Sequence, residues 1–132
     1  MNVVHHIAMS CRDQKSQERF YTKHFGFRCS RVFNAGKPNE FRTLRLGAIS
    51  IELFTADPKS AGQTGGEQPV GFRHIAFEVP DIEKAVAGVQ ADGIKTDKIL
   101  DCSSNIPGLR VCFFRDPDGN WLELMQGWQD EE

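Results

Sequence analysis

The sequence predicts an α+β protein made of two βαβββ modules in tandem. A duplicated motif, a repeated order of strand and helix signals, and a length suited to one compact domain carry that prediction. The opening stretch His6-Ile7-Ala8-Met9 returns as His74-Ile75-Ala76-Phe77. Asp13 lies seven residues after His6, and Asp81 lies seven residues after His74. Each half closes on a matching segment, Ile51-Glu52-Leu53-Phe54 in the first and Leu122-Glu123-Leu124-Met125 in the second. With 132 residues the chain can bury a sizeable core as one domain. Module one spans about residues 1–56, a linker about 57–71, and module two about 72–127.

Val4 to Ser10 and Arg73 to Val79 alternate between turn signals and are expected to open the modules as strands. Asp13 and Asp81 follow as N-caps, because a short carboxylate accepts from the amides of a helix's first turn. In the second helix Ile82, Ala85, Val86 and Val89 form one apolar stripe at helical spacing. The first helix has a sparser stripe, chiefly Phe20 and Phe25. Further strands are expected at Arg28–Phe33, Phe41–Leu46 and Ile49–Phe54, then at Lys95–Leu100, Leu109–Phe114 and Trp121–Met125. Asp116-Pro117-Asp118-Gly119 is a turn joining the last two. The glycine- and proline-containing run from Ala56 to Gly71 reads as the linker.

Composition excludes several function classes. Net charge is −2 with both signs dispersed, so no basic face invites nucleic acid. The apolar runs are far too short to span a membrane. Cys11, Cys29, Cys102 and Cys112 form no Cys-x-x-Cys pair, and no charged-then-apolar leader precedes the first strand. Free, buried structural thiols in a reducing cytoplasm are the expectation. Asp130-Glu131-Glu132 is expected as a solvated end.

Strand parity then assembles a site. Successive side chains point to opposite faces. His6, Ala8 and Ser10 share one face, as do His74, Ala76 and Glu78. Ser50, Glu52 and Phe54 share another, as do Trp121, Glu123 and Met125. The alternate residues are apolar and suit packing against a helix, which leaves both histidines and both glutamates on the helix-free side. Two such sheets related by a pseudo-twofold would enclose a cleft lined by Ser10, Phe54, Glu78, Trp121 and Met125. His6, Glu52, His74 and Glu123 are expected to hold one divalent metal ion there. Neutral imidazoles and carboxylates suit Zn, Ni, Mn, Co or Fe(II). Without a cation two facing carboxylates repel, and one tends to take a proton. A metal with an open position acts as a Lewis acid, and a glutamate beside it can shuttle a proton. His5 has the wrong parity and His24 lies in the helix, so both are expected to be structural or solvent-exposed. Arg42, Arg45 and Arg110 are expected to be ordinary surface charges rather than an anion site.

Several stretches together resemble one family. These are His6-Ile7-Ala8, Asp13, Phe20-Tyr21-Thr22-Lys23-His24-Phe25-Gly26-Phe27, Ile51-Glu52-Leu53, Gly71-Phe72-Arg73-His74-Ile75-Ala76-Phe77, and Phe114-Arg115-Asp116-Pro117-Asp118-Gly119-Asn120-Trp121-Leu122-Glu123-Leu124. On these residues the sequence is identified as a member of the vicinal oxygen chelate superfamily, which includes glyoxalase I, bleomycin-resistance proteins and extradiol dioxygenases. The resemblance implies paired modules forming an open barrel, commonly as homodimers, with a site completed within one chain or across two. Glyoxalase I-like enzymes match the His, Glu, His, Glu order at all four places. Extradiol dioxygenases use two histidines and one glutamate around iron, and metal-free drug-binding members generally lack the full set. The resemblance therefore implies a lyase or isomerase acting on a small carbonyl compound or thiol adduct. Glu123 is its preferred base, with Glu52 as the other candidate. Bacterial glyoxalases typically carry arginine where this chain has Ser10 and asparagine where it has Ala56, so their glutathione contacts do not carry over. The alternatives are a coenzyme A thioester epimerase, an Fe(II) ring-cleaving dioxygenase, and a non-enzymatic drug-binding resistance protein.

Overall fold

The computed structural model describes residues 3–60 and 72–131. The chain divides into two compact units, 1–62 and 63–132. From residue 61 to 71 the expected linker lies outside the described residues. The first unit runs β1 (His6–Cys11), α1 (Gln14–Phe25), β2 (Arg28–Phe33), β3 (Phe41–Leu46) and β4 (Ile49–Thr55). The second runs β5 (Ile75–Glu78), α2 (Ile82–Ala91), β6 (Leu100–Asp101), β7 (Arg110–Arg115) and β8 (Trp121–Gln126). The βαβββ order is therefore present twice.

Each unit forms one four-stranded mixed sheet, ordered β1-β4-β3-β2 and β5-β8-β7-β6, and neither sheet closes on itself. The first and last strands of a unit pair in parallel, while the other neighbours are antiparallel. A parallel partner needs a long crossover, and the helix with the two strands that follow it supplies one in each unit. Asp13 caps α1 by accepting from the amides of Lys15 and Ser16 at 2.9 and 3.3 Å, whereas Asp81 caps α2 through the Lys84 amide alone, at 3.1 Å. Helix α1 ends at Gly26, whose left-handed φ of 78° lets the chain turn back at once into Phe27.

The cores sit between helix and sheet, as parity requires. Phe20, Tyr21, Phe27, Leu44, Ile51, Leu53 and Cys11 are buried in the first unit. In the second unit Ile82, Val86 and Val89 from α2 are buried, as are Cys112, Phe114, Leu122 and Leu124 from its sheet. The stripe of α1 is sparse because two of its buried positions are glutamines, Gln14 and Gln17. Gln14 is satisfied inside: its amide donates to the Glu40 carbonyl at 2.7 Å and Thr55 Oγ1 at 2.9 Å, and its oxygen accepts from Arg42 Nε at 3.1 Å. Burial of a polar group on such terms is affordable only with these partners.

Several expectations need correction. The opening strands are shorter than expected, beginning at His6 and Ile75. The strand expected over Lys95–Leu100 is reduced to Leu100–Asp101 plus an isolated bridge between Thr96 and Phe114. Four of its six residues are polar and it runs along an open edge, so little apolar burial holds it to β7. Cys11 and Cys112 are buried, but Cys29 is exposed and Cys102 half-buried, against the expectation for all four. Cys29 stands beside the bulge in edge strand β2, where Glu18 of α1 lies near its thiol without burying it. Arg42 is no surface charge; its guanidinium meets Glu18 at 3.0 Å and Glu40 at 2.9 Å beneath α1. Burial works against the Arg42 charge, and the Glu18 and Glu40 carboxylates more than offset that effect, raising its pKa. Arg110 behaves as expected, reaching Glu83 at 3.0 Å in an exposed pair. Among the described residues no helix is long and apolar enough to cross a membrane.

Candidate metal centre

In the first unit β1 carries His6 and β4 carries Glu52. The parallel register pairs His6 with Ser50 and Ala8 with Glu52, so His6 and Glu52 are diagonal neighbours. With only a methyl group opposite the carboxylate, the imidazole leans across, and His6 Nε2 stands 3.4 Å from Glu52 Oε1. The second unit repeats the device. Ala76 pairs with Glu123, and His74, just before β5, brings its Nε2 to 3.8 Å from Glu123 Oε1. In both pairs the carboxylate is the more covered partner, with 19% and 14% of the Glu52 and Glu123 side chains exposed. The pairs lie on the face opposite the buried stripe of each sheet, as strand parity predicts.

The donors come together in twos, one pair in each unit. Among the described residues no group of three or more His, Cys, Asp or Glu side chains is gathered to hold a metal ion. Each pair offers one imidazole nitrogen and one carboxylate oxygen, the donor types a borderline divalent ion takes.

His5 is exposed, as expected. Its Nδ1 lies 2.9 Å from His6 Nδ1, with the two rings edge to face. One of these nitrogens donates and the other accepts; a His6 Nδ1–H donating to His5 leaves His6 Nε2 as a lone-pair donor beside Glu52. The strand begins at His6, so His5 is not bound by the alternation. His24 packs its ring 5.1 Å from Phe20 on α1 and is structural.

The expected cleft residues separate into two groups. Ser10 and Glu78 are exposed, while Phe54, Trp121 and Met125 are half-buried. Trp121 lines an open hollow of about 200 Å³ together with Arg73, His74, Asp97 and Phe113. Arg115 lies over the Trp121 ring, 4.0 Å from its centroid, a cation–π contact that holds the indole as one wall. Phe113 pairs with Glu123 across β7 and β8 and meets the His74 ring edge to face at 5.5 Å. Phe113, Arg73 and Asp97 are not among the expected cleft residues. Phe113 follows from parity on β7 alone, whereas Asp97 reaches the hollow from an irregular segment that carries no period.

Two βαβββ units, each with a His–Glu pair on the open face of its sheet, define a chain of the vicinal oxygen chelate fold class. The profile of the Glyoxalase/Bleomycin resistance protein/Dioxygenase superfamily matches residues 3–124, and the chain belongs to that superfamily. It is 34% identical over 125 residues to the uncharacterized protein YwkD of Bacillus subtilis, covering 93% of this chain and 95% of YwkD. It is 39% identical over 148 residues to a lactoylglutathione lyase of Pseudomonas aeruginosa, covering 94% and 82% of the two chains. The crystal structure of a glyoxalase family protein from Enterococcus faecalis superposes with a TM-score of 0.77 at 31% identity, covering 93% of this chain and 96% of the other.

Proposed function

We propose that this chain is a metal-dependent lyase or isomerase of the glyoxalase I kind, acting on a small carbonyl compound or thiol adduct. One observation carries the reading: the same His-to-Glu diagonal occurs once in each unit, each time on the helix-free face. The similarity to a lactoylglutathione lyase supports it. His6, Glu52, His74 and Glu123 are assigned as ligands of one divalent ion, Zn, Ni, Mn, Co or Fe(II), supplied by one chain or by two copies in a homodimer. A cytoplasmic setting and a single functional domain belong to the same proposal.

The donor set fits such an ion, since two neutral imidazoles and two carboxylates together neutralise a divalent charge. When bound, the ion supplies Lewis acidity toward adjacent oxygens of a substrate. The protein's own groups do the remainder. Glu123, or Glu52 in its place, takes a proton from the carbon beside a carbonyl and returns it to the neighbouring carbon. Trp121 and Phe113 wall an open hollow beside His74, where part of a small substrate can lie. Ser10 and Ala56 offer neither the arginine nor the asparagine of bacterial glyoxalases, so the substrate is assigned as a small adduct rather than a glutathione conjugate.

The test is metal analysis of protein purified without chelator or nickel affinity, followed by titration with Zn, Mn, Co and Ni ions. One ion bound per site is expected, with Glu52→Gln and Glu123→Gln each weakening it at least roughly tenfold. Glu123→Gln should also abolish turnover of methylglyoxal plus thiol. Metal affinity unchanged in both glutamine variants rejects the ligand assignment.

A further inference from the structure

His6 opens β1 and Glu52 lies midway along β4, and these parallel strands end together at Cys11 and Thr55. Beyond those ends lies a second open hollow, of about 340 Å³, lined by neither His6 nor Glu52. Its cations come from separate segments. Arg12 follows β1, Lys15 stands in the first turn of α1, and Lys37 lies in the loop between β2 and β3. Arg42 is the fourth cation, and Asp13 and Glu40 are the carboxylates present. Four cations against two carboxylates leave an excess of two positive charges, in a chain whose net charge is −2. Even with Glu18, which meets Arg42 from α1, the balance stays positive.

Both carboxylates are already committed. Asp13 accepts from the amides of Lys15 and Ser16 and from the Ser16 hydroxyl. Asp13 thus answers the end of α1 itself, and the positive character of the hollow comes from side chains. Glu40 accepts from the Gly36 amide and from Arg42 Nη2, each at 2.9 Å. Arg42 Nε donates to Gln14 Oε1 at 3.1 Å, and Gln14 Nε2 to Thr55 Oγ1 at 2.9 Å. These bonds tie loop, helix and β4 into one floor, with the Lys37 carbonyl held by the Glu40 amide at 3.0 Å. By contrast, no ion pair or hydrogen bond holds the Lys15 or Lys37 ammonium among the described residues. Lys15 acts on Asp13 and Glu40 through space only. The second unit has nothing comparable. Counted from the capping aspartates, Pro80 stands for Arg12, Ile82 for Gln14 and Glu83 for Lys15. Its loop between β6 and β7, residues 102–109, contains no lysine or arginine. The βαβββ frame therefore does not require these cations.

We infer that this hollow binds a small phosphorylated anion, with Arg12, Lys15 and Lys37 as its charged contacts. Cations converging from three segments suit a tetrahedral dianion, whose oxygens point in several directions. A planar carboxylate is met more simply by a single arginine fork. The two lysines act as point charges, and the hydrogen-bonded floor beneath them is in place before any ligand arrives. The hollow is larger than one phosphate group, which leaves room for a second phosphoryl group or a small organic remainder. This site is independent of the metal assignment and stands whether or not that assignment holds.

Pyrophosphate is the probe, titrated into metal-free protein so that chelation of a bound ion contributes nothing, and followed by calorimetry and amide NMR. Saturable binding is expected, with shifts at the amides of Gln14, Lys15 and Lys37 and none at His6 or Glu52. Lys15→Gln and Lys37→Gln should each weaken it about three- to tenfold, the effect of one charge-assisted contact, whereas Lys84→Gln on α2 should leave it within about twofold. The double glutamine variant should weaken it at least roughly tenfold. Lys15→Arg combined with Lys37→Arg keeps the charge and should bind like the unsubstituted protein, which separates lost charge from lost fold. Circular dichroism checks the folding of each variant. Succinate, a dicarboxylate, should bind more weakly than pyrophosphate. Absence of saturable shifts at those three amides, unchanged affinity in the double glutamine variant, or equal binding of succinate each overturns the site.

Discussion

In the first unit Glu52 faces Ala8 and meets His6 at 3.4 Å; in the second Glu123 faces Ala76 and meets His74 at 3.8 Å. The donors are duplicated, but their surroundings have diverged. His6 is backed by His5, whereas the residue before His74 is Arg73, which borders the hollow beside Trp121. A column of phenyl rings covers one face of the first sheet, while the second sheet answers with Met125, Val111 and Leu100. Under the helices the first unit buries Arg42 with its carboxylates, and the second leaves Arg110 at the surface with Glu83. The His–Glu pair is kept in both units, while the side chains around it differ.

The largest contrast is expected at the two arginines. Arg42→Met leaves Glu18, Glu40 and the Gln14 oxygen without their buried donor, and should cost about 2–3 kcal/mol in chemical denaturation. Arg110→Met breaks an exposed pair and should cost less than about 1 kcal/mol. Equal losses would show that the two units are supported alike, contrary to their burial.

A smaller difference is expected behind the histidines. His5→Ala removes the partner of His6 Nδ1 and should weaken metal binding about tenfold, while Arg73→Ala should leave it within about twofold. Calorimetric titration of both variants measures this directly. An unaffected His5→Ala variant would return His5 to the role of a bystander.

The smallest effects are expected at the helix caps and in acid. Asp13 receives two backbone amides and the Ser16 hydroxyl, and these bonds hold its carboxyl below the ordinary value of 3.8. The Gly36 amide and Arg42 hold Glu40 below 4.5 in the same way. A carboxylate with a depressed pKa stabilises the fold fully above its ordinary value and loses that contribution as pH falls through the depressed one. The first unit should therefore lose stability as pH drops below about 4.5, and Glu40→Gln should flatten that slope. Asp13→Ala should lower the melting temperature at neutral pH more than Asp81→Ala, whose cap holds a single amide. Reversal of that order would show that α2 depends on its cap more than its burial suggests.

Much of this molecule was legible before any coordinates. The repeat of His-Ile-Ala and of the Glu-centred closing strands set the βαβββ order twice, because a strand's period of two and a helix's stripe at three and four are local properties of the chain. Parity placed the four donors and Trp121 on helix-free faces, and the Asp116 turn formed as read: Asp116 Oδ1 accepts from the amides of Asp118 and Asn120 at 2.9 and 3.0 Å. Other features needed the third dimension. Burial of Gln14 depends on partners 26 and more residues away, and that of Arg42 on Gln14 and Glu18, 28 and 24 residues away, which no local pattern reports. The collapse of the strand near Lys95 was set by its place at a sheet edge, and the Phe33, Phe41 and Phe54 column by cross-strand register. Periodicity along the chain determined which face each residue takes; only the pairing of distant strands decided which residues on that face touch.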